Sequence, residues 1–211
     1  MANQSPQARK KTDILYLVQL GLLSALIILM AFTPLGYLKV GLIEITFITI
    51  PVVIGAIILG PTAGAILGGV FGITSFIQCF GISAFGTLLF GINPVLTIIT
   101  CLIPRILVGF LTGVIFKALH KIDKTKIASY GISSLCGALL NTILFMTCIV
   151  VFFWKNGDFL TTMKDWKLPT ATAWKFLIAF VGVNGLIEAC VTFVVGGALA
   201  KVLASVKKSR R

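Results

Sequence analysis

Residues 14–32 read ILYLVQLGLLSALIILMAF, an apolar run interrupted only by Gln19 and Ser24. As a helix rising about 1.5 Å per residue, a run of this length crosses the roughly 30 Å hydrocarbon core of a bilayer. The preceding stretch, Met1 to Asp13, is polar and carries Arg9, Lys10 and Lys11. A signal peptide has a shorter apolar region ending in a small-residue cleavage site, and Ala31-Phe32-Thr33-Pro34 is a poor one. The run therefore reads as a retained first transmembrane helix.

Outward from it, the same pattern recurs at Glu44–Leu59, closed by Gly60-Pro61, and at Thr62–Cys79, Asn93–Leu119, Ala128–Trp154 and Ala173–Leu203. The stretch Phe80–Gly91, rich in Gly and Ser, reads as a connection whose Phe and Leu content lets it dip into the membrane. The expected fold is all-α, an integral membrane six-helix bundle over residues 14–203. Residues 1–13 form a basic cytoplasmic N-terminus and residues 204–211 a basic cytoplasmic tail. Composition agrees: 58% of the 211 residues are hydrophobic and 11% charged, where a soluble domain spends about a quarter on charge. This excludes a disordered tail, a disulfide-rich secreted module and, despite the net charge of +12, a nucleic-acid binder.

The charges report orientation. Arg9, Lys10, Lys11, Lys117, Lys121, Lys124, Lys126, Lys201, Lys207, Lys208, Arg210 and Arg211 fall on one side of the drawn spans. Lys39, Lys155, Lys164, Lys167 and Lys175 fall on the other, and Arg105 lies within a span. The positive-inside rule then places both termini in the cytoplasm, with anionic lipid touching the basic ends. Trp154, Trp166 and Trp174 near the outer boundary, and Tyr16 and Tyr130 near the inner one, fit interfacial belts. Cys79, Cys101, Cys136, Cys148 and Cys190 lie in apolar stretches without CxxC spacing, and read as small hydrophobes rather than metal ligands.

An ionisable side chain in mid-membrane costs about 2.5 to 3.5 kcal/mol on insertion scales, so each one is a functional candidate. Arg105 and Glu188 qualify. Either they pair and lock two helices, or Arg105 is held for an anionic ligand through its planar, bidentate geometry while Glu188 orients it or binds a polar group. Asn93, Asn141 and Asn184 lie on three consecutive helices, and steps of four place Asn93, Thr97, Cys101 and Arg105 on one stripe and Asn184 with Glu188 on another. Singly, each asparagine is explained by an interhelical hydrogen bond; jointly they point to a cavity. The segment Thr33 to Glu44 joins the first two helices and could cap an outward-facing pocket, with Tyr37 covering a ligand and Lys39 beside it. Its alternative is an interfacial loop with a snorkelling lysine.

Small residues recur every fourth position at Gly60, Gly64, Gly68 and Gly72, at Gly109 and Gly113, and at Gly21 and Ala25. Such stripes let helices approach closely. No GxxxxGK[ST], HExxH, GxSxG or paired-carboxylate motif appears, so an enzyme is not expected, nor a cofactor or metal. His120 sits at a helix end, where its effect on the terminus explains it. If transport here uses ATP, another chain hydrolyses it.

The basic N-terminus, six spans in about 200 residues, the patch Gly21-Leu22-Leu23-Ser24-Ala25, a capping first loop and the Gly-rich run Ile54 to Gly69 together resemble the substrate-binding S components of energy-coupling-factor (ECF) transporters. The phrase Leu59-Gly60-Pro61-Thr62-Ala63-Gly64 is the most specific part, and the likeness, closest to the pantothenate-type members, covers Leu15 to Leu203. The resemblance implies a vitamin receptor in a prokaryotic cell membrane that captures its ligand outside, in a pocket of helices four to six under the first loop. It also implies docking through helix one, at Gly21, Ser24 and Ala25, on a membrane coupling subunit driven by two cytoplasmic ATPase chains. The family's helix-one motif is Ala-x-x-x-Ala; the corresponding positions here are Gly21 and Ala25, so the chain departs from the motif at its first position, where glycine keeps the surface small. Pantothenate offers one carboxylate, an amide and two hydroxyls to Arg105 and the asparagines. A pocket in which Glu188 neutralises Arg105 suits riboflavin equally, and folate or a queuosine precursor are further alternatives. A self-sufficient secondary transporter tends to show inverted repeats and broken helices, and no convincing internal repeat is present. A scaffold subunit with polar packing residues is the remaining alternative. The outer loop Lys155–Thr172 is longer than the resemblance leads one to expect.

Overall fold

The computed structural model describes residues 6–34, 36–40, 43–123, 127–166, 168–169 and 172–209. Its elements run α1 (Pro6–Ala31), β1 (Tyr37–Val40), β2 (Ile43–Thr46), α2 (Thr49–Leu59), α3 (Pro61–Gln78), α4 (Ala84–Ile92), α5 (Pro94–Ile122), α6 (Ala128–Phe153), α7 (Gly157–Asp165), α8 (Ala173–Val191), a π-helical turn (Thr192–Gly196) and α9 (Gly197–Ser209). Among the described residues, five helical segments are long and apolar enough to cross a bilayer: Ile14–Ala31, Pro61–Gln78, Pro94–Ile122, Ala128–Phe153 and Gly185–Ser205. The fold is that of an all-α membrane protein with a two-stranded ribbon in its first loop.

The sixth expected span, Ala173–Leu203, is interrupted by the π-helical turn, with its apolar stretch at Gly185–Ser205, and α1 begins at Pro6, inside the expected polar N-terminus; three further boundaries differ from the sequence expectation. The second span was expected from Glu44, but Glu44 lies in β2, and α2 starts at Thr49 and has 11 residues. Tyr37, Val40, Ile43, Ile45 and Thr46 are β-branched or aromatic residues that suit strands. They pair antiparallel, with Tyr37 opposite Thr46 and Lys39 opposite Glu44. At about 1.5 Å per residue, α2 reaches only part-way across a bilayer. Every residue from Pro51 to Ile57 is buried, as befits a helix apolar all round and enclosed by its neighbours. Second, the supposed connection Phe80–Gly91 holds α4, whose first turn is capped by the Ser83 side chain accepting from the Gly86 amide at 3.3 Å. Third, the long outer loop contains α7, capped by Asn156 Oδ1, which accepts from the amides of Asp158 at 2.9 Å and Phe159 at 3.2 Å.

α4 and α7 are short amphipathic helices that pack over the end of the bundle away from the chain termini. Leu89 of α4 and Phe159 and Met163 of α7 join Met146, Ile149 and Phe153 of α6 and Phe176 of α8 in one buried cluster. Phe159 meets Phe85, Phe153 and Phe176 with ring centroids 6.5, 6.3 and 5.9 Å apart, within the range of favourable aromatic pairs. The helical order thus turns the connection between α6 and α8 into a fitted cap.

The α3–α5 pair forms the spine. A methyl built on Gly64 would strike the Gly109 carbonyl, and one on Gly109 would strike that of Gly64. Gly72 faces the Cys101 carbonyl in the same way, at 2.9 Å from its ideal Cβ. The expected close-packing role of this stripe is met, because glycine lets the two backbones touch and dispersion contacts form along the whole seam. At the opposite end, the turn into α6 is held by Asp123 Oδ2, which accepts from the Ser129 amide at 2.7 Å, while His120 Nδ1 and Ser129 Oγ lie 3.0 Å apart. No disulfide joins any of the five cysteines, all of which are among the described residues.

Candidate functional site

The site begins with a proline. Pro104 lies inside α5, and because it has no N–H it leaves the carbonyl of Thr100, four residues earlier, without its helical partner. Arg105 fills that role: its Nη1 donates to the Thr100 oxygen at 2.9 Å. The guanidinium lies between two rings, 4.1 Å from the centroid of Phe145 on α6 and 5.4 Å from that of Phe71 on α3. Arg105 is 7% exposed, and its Nε has no hydrogen-bond partner among the described residues.

Glu188, also 7% exposed, has a different set of neighbours. Its Oε1 accepts from Thr49 Oγ1 of α2 at 2.9 Å and from Asn141 Nδ2 of α6 at 3.1 Å. Both partners direct N–H or O–H dipoles at one oxygen, the usual means of holding a carboxyl group inside a membrane protein. The direct Arg105–Glu188 pair weighed from the sequence does not form among the described residues: each group spends its hydrogen bonds elsewhere. Asn141 Oδ1 and Thr100 Oγ1 remain buried without a partner. The layer thus has a cation, a carboxyl group and an amide on α5, α8 and α6, with unused hydrogen-bonding atoms on the cation and the amide.

Asn93 lies away from this group. Asn93 caps α5, its Oδ1 accepting from the amides of Val95 and Leu96, both at 3.1 Å. It sits roughly 18 Å along the helix from Arg105, so the shared stripe does not bring the two side chains into one layer. Thr97 on that stripe turns back on its own helix, donating to the Asn93 carbonyl at 2.8 Å. The side chains of Tyr37 and Lys39 on β1 and of Asn184 on α8 lie outside the described residues. On α1, Gly21 and Ala25 are exposed and Ser24 is half-buried, and Gly21 has open space where a Cβ would stand.

Thr49, Thr100 and Phe145 escaped the sequence reading. An isolated threonine heading an apolar run was a visible signal for Thr49. Nothing local marks Phe145 among the sixteen phenylalanines, and Thr100 is recognisable only by counting four residues back from Pro104.

A family model for the substrate-specific component of ECF transporters matches residues 15–199. The chain belongs to that family. It is a multi-pass membrane protein of a prokaryotic transporter. Among its relatives are a pantothenate transporter, PanT, of Leuconostoc mesenteroides, 30% identical over 198 residues covering 89% of this chain and 91% of the relative. A pantothenic acid transporter, PanT, of Lactococcus lactis is 30% identical over 173 residues, covering 78% of this chain and 80% of the relative. This S component thus aligns over 89% and 78% of its length with two proteins named as transporters of one vitamin.

Proposed function

We propose that this chain is the pantothenate-specific S component of an ECF-type importer. The observation that carries the reading is Arg105: a guanidinium buried in mid-span, stacked between two rings, with Nε unpartnered. The pantothenate carboxylate is the anion it receives. Asn141, whose Oδ1 is also unpartnered, takes an amide or hydroxyl hydrogen of the ligand, and Glu188 holds Asn141 in place. The ribbon carrying Tyr37 and Lys39 closes the outer entrance, and Asn184 is a further candidate for ligand binding. Asn93 contributes by starting α5 rather than by touching ligand.

Both termini lie in the cytoplasm, in keeping with the basic residues at the two ends of the chain. The small, exposed surface at Gly21 and Ala25, with Ser24 beside it, docks on a membrane coupling subunit driven by two cytoplasmic ATPase chains, which supply the energy this chain has no motif to extract. The chain catalyses no reaction itself.

The test is equilibrium binding of radiolabelled pantothenate to the purified chain in detergent, with Arg105→Ala beside it. Removing one partner of a desolvated charge pair costs about 2 to 5 kcal/mol, roughly a 30- to 4,000-fold loss of affinity. Saturable binding lost in Arg105→Ala supports the reading. Riboflavin, folate or a queuosine precursor binding in place of pantothenate overturns it, as does pantothenate uptake by the chain alone in liposomes.

A further inference from the structure

Arg105 is buried, yet among the described residues it makes one hydrogen bond, to a carbonyl left without its helical donor because Pro104 lacks an amide hydrogen. Its second support is the Phe145 ring at 4.1 Å, close enough for a strong cation–π contact in a desolvated setting. Neither support competes with a ligand for Nε, which stays unpartnered. Phe145 in turn meets Phe85 of α4, centroids 6.4 Å apart, and Phe85 meets Trp166 after α7 at 6.4 Å. The arginine is thereby tied through one ring to the cap over the site.

We infer that Pro104 and Phe145 are positioning residues: together they clamp the Arg105 guanidinium in the pose that receives a carboxylate, and so set the preference of the site for an anionic over a neutral ligand head. Pro104 acts by freeing the Thr100 carbonyl, which draws Nη1 to one side. Phe145 acts by supporting one face of the cation, leaving the guanidinium edge for the bidentate contact. The inference rests on the pantothenate reading above and adds how this chain selects charge.

The experiment compares two ligands that differ at the head alone, pantothenate and its alcohol analogue pantothenol, on the full-length wild type, Phe145→Leu, Phe145→Tyr and Pro104→Ala. In the wild type pantothenate binds more tightly. Phe145→Leu should weaken pantothenate about tenfold and leave pantothenol within about twofold, while Phe145→Tyr, which keeps the ring, restores the wild-type ratio. Pro104→Ala restores an amide hydrogen to the helix and should narrow the pantothenate-to-pantothenol ratio in the same direction. A merely structural role weakens both ligands equally, and that outcome overturns the clamp, as does a ratio unchanged in both Phe145→Leu and Pro104→Ala. If Phe145→Leu fails to fold, progressively fluorinated phenylalanines at 145 replace it. Their pantothenate affinity should fall stepwise with ring electron density, and a flat series overturns the proposal. Wild type that binds neither ligand sinks the pantothenate reading itself, a result distinct from an unchanged ratio.

Discussion

Gly68 and Arg105 meet backbone to backbone: a methyl group built on Gly68 would run into the Arg105 carbonyl oxygen. The residue that supplies the site's cation is thus seated by the absence of a side chain on the neighbouring helix. Gly68→Leu should separate α3 from α5 and destabilise the protein by at least the 1 to 3 kcal/mol typical of overpacking. It should also weaken ligand binding, because Arg105 moves with the seam. Gly69→Ala is the control, since its nearest neighbour, Ile106 Cγ1, is an uncrowded 3.8 Å away. Thermal unfolding in detergent of the two variants decides the point; equal stability would mean that the helices part without cost.

Thr49 and Asn141 converge on the same carboxyl oxygen of Glu188. Thr49→Val and Asn141→Leu should each destabilise by about 1 to 3 kcal/mol, the cost of leaving a buried polar group short of a partner. The double variant should depart from the sum by about 0.5 kcal/mol or more, because the two donors share one acceptor. Denaturation of the four proteins in a double-mutant cycle measures that coupling, and strict additivity would refute a shared network.

Phe159 anchors α7, fully buried against rings from α4, α6 and α8. Phe159→Ala should cost about 3 to 5 kcal/mol of local packing and release the cap, seen as faster proteolysis or hydrogen exchange across residues 157–165. Thr161→Ala, on the exposed side of the same helix, should change neither. Equal protection in both variants would show that the cap is held by something other than Phe159.

Cys79 and Cys101 approach to 3.8 Å between sulfurs where the end of α3 meets α5. A mild chemical oxidant should therefore take two electrons and two protons from this pair and join it. After unfolding, the oxidised protein should carry two fewer maleimide labels than the reduced one, and Cys79→Ala should abolish the difference. Persistence of all labels after oxidation would place the helix ends farther apart.

The class of the protein was legible from residues 14–32 onward, because continuous apolar runs have one physical home and glycines at every fourth position have one common use. The buried mid-helix positions of Arg105 and Glu188 were equally legible, since an ionisable group placed there stands out as costly. α4 and α7 were hidden because short amphipathic helices carry little periodic signal, and their stability comes from the bundle end they cover. The ribbon before α2 was hidden too, since a run of isoleucines and threonines serves a buried helix as well as a strand.

The sequence by itself determined that this chain crosses a membrane, where its long apolar runs lie, and which two charges lie among them, for these follow from hydropathy and spacing along one chain. Which groups those charges touch was decided only by tertiary structure. Arg105 turns to the carbonyl that Pro104 frees and to Phe145, and Glu188 to Thr49 and Asn141. A hydrogen bond between helices depends on their rotation and approach, and those are set jointly by every side chain packed between them.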